Sequence, residues 1–159
     1  MNWNQFAKTA PEMAKAGEER FERWGLCLVG TVRRDGSARI SPVEPLIVGG
    51  ELMLGMMWQS TKAKDLLRDP RVLVHSIISD RAGTEGEFKL RGRTRDVHDA
   101  DVREAYAKAL FEKIGWRPEG EEWHLFAVDT EHAALIVFDG EQKRVQVWPG
   151  PASVPVHAS

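Results

Sequence analysis

The chain has 159 residues, of which 42% are hydrophobic and 29% charged, with a formal net charge of -2. That length suits one domain burying roughly two-thirds of its unfolded surface, and the composition excludes a disordered chain and a globally basic nucleic-acid binder. Cys27 is the only cysteine, which excludes an intramolecular disulfide framework and a multi-cysteine zinc site. In the apolar run Leu26-Cys27-Leu28-Val29 it reads as a small core side chain. No charged n-region leads into an apolar stretch, and no run nears the roughly 18 apolar residues of a membrane span, so a cytoplasmic protein without a membrane partner is expected.

Residues 3 to 24 read as helix: Phe6, Met13, Phe21 and Trp24 fall near one face, Pro11 suits a first helical turn and Gly25 the position past the end. Leu26 to Val32 reads as a strand, and Arg34-Asp35-Gly36-Ser37 carries the Asp-Gly signal of a tight hairpin. The return strand, Ala38 to Val48, contains Pro42 and Pro45, which cannot donate ladder hydrogen bonds and so imply an edge, a bulge or a bend. Gly49-Gly50 turns the chain into Glu51 to Trp58, a nearly continuous apolar strand in which Gly55 leaves room for a backbone or a ligand.

Ser60 or Thr61 caps a helix running to about Arg68, stopped by Asp69-Pro70. Val72 to Ile78 is a strand, Ser79 to Gly86 a polar loop, Glu87 to Val97 a strand, and Asp99 or Ala100 to Ile114 an amphipathic helix. After a loop to Glu122, strands follow at Leu125 to Val128, Ala133 to Phe138 and Arg144 to Trp148, the last two joined by Asp139-Gly140. The fold class expected is mainly β, an antiparallel barrel of roughly six to eight strands with inserted helices. Residues 1 to 159 form one domain in this reading, with 1 to 25 a helical brace and 149 to 159 a tail.

The run Gln59-Ser60-Thr61-Lys62-Ala63-Lys64-Asp65 places two hydroxyl residues and two lysines where a strand gives way to a helix. An anion there would meet free backbone N–H groups, the positive end of the helix dipole and at least one ammonium, which suits a phosphomonoester. The same residues also read as ordinary helix capping beside a solvated lysine. No Gly-x-Ser-x-Gly elbow, phosphate-binding P-loop or His-Glu-x-x-His occurs, so hydrolysis and phosphoryl transfer have no support.

The strand and turn Leu28 to Ser37, the run Ala38-Arg39-Ile40-Ser41-Pro42-Val43, then Gly50 to Leu54, Ser60-Thr61-Lys62-Ala63 with Asp69-Pro70-Arg71-Val72, and Leu90-Arg91-Gly92-Arg93-Thr94 resemble the pyridoxamine 5'-phosphate oxidase-like split-barrel flavoproteins. The similarity covers about residues 20 to 148. It implies a six-stranded split barrel, a homodimer acting on a small-molecule substrate, and FMN in a groove at the dimer interface, with a deazaflavin coenzyme or haem as the alternatives in related branches. It further implies that Ser60, Thr61 and Lys62 grip the phosphate. The ring then lies along Ser41, Pro42, Val43 and Glu44 and the neighbouring Gly55, Met56 and Met57, within reach of Glu87. A flavin-dependent oxidoreductase is the implied activity, with a non-catalytic flavin or haem binder or a deazaflavin-dependent reductase as alternatives.

Members that oxidise pyridoxamine phosphate carry basic residues where this chain has Ser41 and Leu46, and end in a tryptophan-arginine-proline-type motif. Here the ending is Val147-Trp148-Pro149-Gly150, so the resemblance stops short of that reaction. Haem-handling members use an axial histidine, whereas a lone strand histidine such as His75 is more often a satisfied core residue. Glu44 reads either as a hydrogen-bonding partner of the ring or as a solvated carboxylate. Arg33, Arg34, Arg39, Arg91, Arg93 and Arg95 read as a solvated face or as inter-subunit ion pairs, and no metal site is expected because His98, His124, His132 and His157 share no ligand spacing.

Overall fold

A computed structural model describes residues 1–150 and the backbone of 154–156, so the rest of the expected tail, His157 included, lies outside the described residues. The elements run α1 (Trp3–Thr9), α2 (Pro11–Trp24), β1 (Cys27–Val32), β2 (Ala38–Val43), β3 (Pro45–Val48), β4 (Glu51–Met57), α3 (Thr61–Arg68) and β5 (Arg71–Ser76). They continue as β6 (Glu87–Asp96), α4 (Ala100–Ile114), β7 (Trp123–Asp139), β8 (Gln142–Trp148) and β9 (Val154–Val156).

Every strand pairing is antiparallel, in the order β2-β1-β5-β6-β7-β4-β3, with β8 added to β7 and β9 to β8. The two ends of that order, β2 and β3, are separated in the chain only by Glu44. They are therefore two halves of one bent strand, which pairs with β1 before the corner and with β4 after it, and the sheet closes on itself. The corner falls between Pro42 and Pro45 because neither can donate a ladder hydrogen bond.

The expected single N-terminal helix is broken at Ala10, whose φ of -139° and ψ of 62° leave the helical region because Pro11 follows it. Two strands expected at Leu125 to Val128 and Ala133 to Phe138 are one strand, β7. The polar residues Asp129 to His132 read as a connection but hold a bulge opposite Arg91 and Gly92. Gly92 is required there, since a Cβ would collide with the carbonyl of Asp129.

Phe88, Val74, Val29, Leu54 and Phe126 fill the barrel, and α1 and α2 close one end through Trp3, Phe6 and Phe21. A second apolar cluster seats α4 against the outside of the sheet through Tyr106, Leu110, Met53, Leu125 and Trp123. Cys27 is fully buried, its thiol donating to Val43 O at 3.3 Å, and burial pushes its pKa up to about 12. Among the described residues no helix is long and apolar enough to cross a membrane.

Candidate functional site

The turn from β4 into α3 is built by Gln59, which adopts a φ of 56°, a left-handed conformation uncommon for a residue with a side chain. Its N–H donates to His124 Nε2 at 3.1 Å, and the Trp58 indole stacks on the same imidazole, centroids 4.6 Å apart and planes 12° off parallel. Ser60 is the N-cap, its hydroxyl accepting from the Ala63 N–H at 3.4 Å. The amides of Thr61 and Lys62 lie ahead of the first intrahelical acceptor, because Lys64 N–H is the donor that reaches Ser60 O. They are left for water or an anion, at the positive end of the helix.

What fixes α3 in place is Asp65, 3% exposed between the buried Ala63 and Leu66. Arg39 Nε donates to its Oδ2 at 2.6 Å, the Thr31 hydroxyl donates to the same oxygen at 2.9 Å, and Arg68 Nη2 donates to Oδ1 at 3.2 Å. Burial pushes the Asp65 pKa up, but the donors Arg39, Thr31 and Arg68 outweigh it and hold the carboxyl below its ordinary range. Arg68 also donates to Val32 O, which ties the helix to the end of β1.

Beside this anchor lies a groove of about 500 Å³ walled by Arg33, Arg34 and Arg39 of the β1–β2 hairpin and by Thr61, Lys64 and Arg68 of α3. It carries five cationic side chains against two carboxylates, Asp35 and Asp65. Arg39 and Arg68 are committed to Asp65, whereas Lys62, Lys64 and Arg34 make no ion pair among the described residues. Uncommitted cations, a hydroxyl and free helix-start amides form a donor set that fits a phosphate.

The remaining expected site residues fall in three places. Ser41 and Pro42 lie on β2; Val43, 5% exposed, points into the barrel. Glu44, Gly55, Met56 and Met57 line a pocket of about 170 Å³ closed by Tyr106, Leu110, Trp116 and Trp123. The room left by Gly55 is taken by the Tyr106 hydroxyl, with which a Cβ there would collide. Burial, then the charge of Glu44, pushes the Tyr106 pKa up to about 12. Gly55→Ala is therefore expected to cost about 1 to 3 kcal/mol in urea unfolding. The penalty should shrink in a Tyr106→Phe background, and equal penalties in both backgrounds would clear Tyr106 as the cause.

Glu87 sits elsewhere. It faces outward from β6, its carboxylate 2.8 Å from Lys89 Nζ and 3.4 Å from His75 Nε2, and these partners, Lys89 first, hold its pKa down against the opposing effect of burial. Its neighbour on β7 is Ile136, whereas Gly55 pairs with Leu125; those eleven residues are roughly 35 Å of strand. His75 Nδ1 lies 2.6 Å from Ser76 O, so both ring nitrogens are engaged. Among the described residues there is no group of three or more His, Cys, Asp and Glu side chains able to hold a metal.

Of the basic sets, three arginines make intrachain ion pairs: Arg39 with Asp65, Arg95 with Glu51 at 2.6 Å and Asp129 at 2.7 Å, and Arg93 with Glu131 at 3.4 Å, whereas Arg33, Arg34 and Arg91 make none among the described residues. Asp65, Tyr106 and the Trp58–His124 stack went unread in the sequence. The signal for the first was available, since a carboxylate on the apolar stripe of α3 needs partners, and Thr31 and Arg39 are paired across the β1–β2 hairpin.

Neither a family model nor a curated protein matches the sequence. Solved structures match the fold. A pyridoxamine 5'-phosphate oxidase-related, FMN-binding protein from Nostoc punctiforme superposes with a TM-score of 0.70 at 14% identity, over 94% of this chain and 96% of that one. A NimC/NimA family protein from Clostridium acetobutylicum gives 0.65 at 15% identity, over 88% and 91%. HutZ, the haem storage protein of Vibrio cholerae, gives 0.58 at 15%, over 77% and 89%. Identities this low establish architecture and leave the chemistry to the residues. The chain has the split-barrel fold of the pyridoxamine 5'-phosphate oxidase-like proteins.

Proposed function

We propose that this protein binds FMN and is a flavin-dependent oxidoreductase acting on a small molecule. The observation that carries the reading is the donor set at the start of α3, where free amides, Thr61 and Lys62 adjoin a groove holding Lys64 and Arg34. Ser60, Thr61 and Lys62 would hold the phosphate, and the ring would lie toward Ser41, Pro42, Val43, Glu44, Gly55, Met56 and Met57. When bound, the flavin supplies hydride or single-electron transfer. The chain's part is to neutralise the phosphate, exclude water with Met57 and the β2 surface, and present Glu44 as a hydrogen-bond acceptor.

A deazaflavin coenzyme is the second reading, favoured by the groove's extent beyond Lys62 to Lys64, Arg34 and Arg33, which would suit a longer anionic tail. Haem held by His75 is less well supported, because the ring would first have to release Ser76 O and Glu87.

The reading includes a homodimer. Glu87 and Gly55 pair with positions eleven residues apart on β7, and two copies contributing to one groove would let both serve a single flavin. Exposed Ile40 on β2, Leu73 on β5 and Val147 on β8 supply apolar surface for that contact. The test is light scattering of freshly purified protein with its absorption spectrum recorded on the same peak. A peak at twice 17.9 kDa with flavin bands that bleach on adding a reduced nicotinamide is expected. A coloured monomer would contradict the dimer, bands that do not bleach would favour the non-catalytic binder, and a Soret band would favour haem.

A further inference from the structure

A second and larger cleft, about 1100 Å³, opens beside the same β4–α3 turn, lined by Trp58, Gln59 and Leu67 rather than by Thr61, Lys64 and Arg68. Its other walls are α4, the end of β6 and the loop leading into β7. Its charge is opposite to that of the phosphate groove: Asp96, Glu104, Glu119, Glu121 and Glu122 border it, against Arg103 and Arg117.

Both arginines are already used. Arg103 donates to the carbonyls of Val97, Glu121 and Trp123 at 3.3, 3.2 and 3.0 Å, with its guanidinium 3.8 Å over the Trp123 ring. Arg117 forms a two-bond pair with Glu104, at 3.1 and 2.6 Å. Asp96 faces His98 at 2.9 Å. The side chains of Glu119, Glu121 and Glu122 make no hydrogen bond or ion pair among the described residues, and although the charge of Glu119 acts on Arg117, carboxylates outnumber arginines at the mouth of the cleft, which is anionic.

The cleft is more than an acidic rim. His124 borders it at 6% exposure and accepts the Gln59 N–H on Nε2. A backbone amide can only donate, so the imidazole proton is on Nδ1, and that N–H has no partner among the described residues. Burial, the leading influence on the ring, lowers its pKa and favours this neutral form. Trp58 covers one face of the imidazole and is itself 49% exposed, leaving indole surface on the cleft wall. A half-bare indole beside carboxylates that outnumber the cations around them is the chemistry that holds an ammonium group on an apolar body.

We infer that this cleft binds a small organic cation, stacked against Trp58 with its ammonium toward Glu119, Glu121 and Glu122. The site is distinct from the phosphate groove and stands whether or not FMN is the cofactor.

The experiment is calorimetric titration of the full chain with benzyltrimethylammonium and, separately, with 3-phenylpropionate, an anion of similar size. Saturable binding of the cation alone is expected, weakening as salt is raised. Replacing Glu119, Glu121 and Glu122 together by Gln should weaken it about tenfold, from the loss of three exposed charge interactions. Trp58→Ala should weaken it about fivefold, from the loss of the indole. Circular dichroism on each variant checks that the fold is intact, and Lys62→Ala should leave cation binding unchanged, which separates this inference from the flavin reading. No saturable binding of the cation, equal binding of phenylpropionate, or an unaffected triple Gln variant would overturn it.

Discussion

Asp65→Ala is expected to lower stability by about 3 kcal/mol, at the low end for breaking a buried ion pair. The loss exceeds that of the interaction itself, because the Thr31 hydroxyl, 3% exposed, would be left without its acceptor. Arg39 and Arg68 would lose their carboxylate too, but their side chains are 23% and 35% exposed and can turn toward water, which keeps the figure from the top of the range. For a domain of this size the melting temperature should fall by about 10 °C.

The same pair has a signature in pH. Because the folded Asp65 pKa lies below the model-compound value of 3.8, the unfolded chain takes up its proton first as pH falls. The stabilisation is therefore complete above that value and is lost as pH drops through the folded pKa. Wild type and Asp65→Ala should differ fully in urea unfolding at neutral pH, and the difference should shrink as pH falls below 3.8 and through the folded pKa. A difference under about 1 kcal/mol at neutral pH would mean that the arginines pair with solvent as readily as with Asp65.

Phe88→Ala is expected to cost about 3 to 5 kcal/mol. The ring is fully buried, 6.1 Å from Trp3, 6.5 Å from Phe6 and 5.7 Å from Phe21 between centroids, in an aromatic group that attaches α1 and α2 to β6. It also occupies the notch at Gly17, where a Cβ would come within 2.7 Å of it. Nothing adjacent can fill the space, since the surrounding rings are held by one another and by β6. Urea unfolding measures the loss, and limited trypsin digestion locates it, with faster cleavage within residues 1 to 25 expected. A loss below about 2 kcal/mol would indicate that the helices re-seat over the cavity.

How far the sequence carried the structure depended on whether the information was local. The Asp35-Gly36 and Asp139-Gly140 hairpins, the Ser60 cap and the Pro42–Pro45 corner are set by residues within a few positions of one another, and all four are where the pattern put them. Local signals misled where tertiary pairing overrode them. Asp129 to His132 has the polar wording of a turn, but pairing with β6 and a bulge at Gly92 keep it in a strand. Gly55 reads as open space because the occupant, Tyr106, comes from a helix more than 50 positions away.

The candidate site divides in the same manner. Ser60, Thr61 and Lys62 belong to one turn and were readable together. Glu87 reads as a neighbour of that groove only by resemblance, and in the folded chain it faces outward among His75 and Lys89. The Asp65 anchor joins α3 to both strands of the β1–β2 hairpin, contacts that no short window of sequence contains.

Anchoring of a flavin phosphate by Lys62 and the start of α3 is tested by titrating FMN into cofactor-free wild-type protein and Lys62→Ala. Lys62 has no ion pair to lose among the described residues, so the fold should be unaffected and the whole change should appear in binding. Loss of one charge-assisted contact to a phosphate predicts affinity weaker by about 10- to 100-fold, with riboflavin, which lacks the phosphate, bound equally by both proteins. FMN affinity unchanged by the substitution would contradict the account.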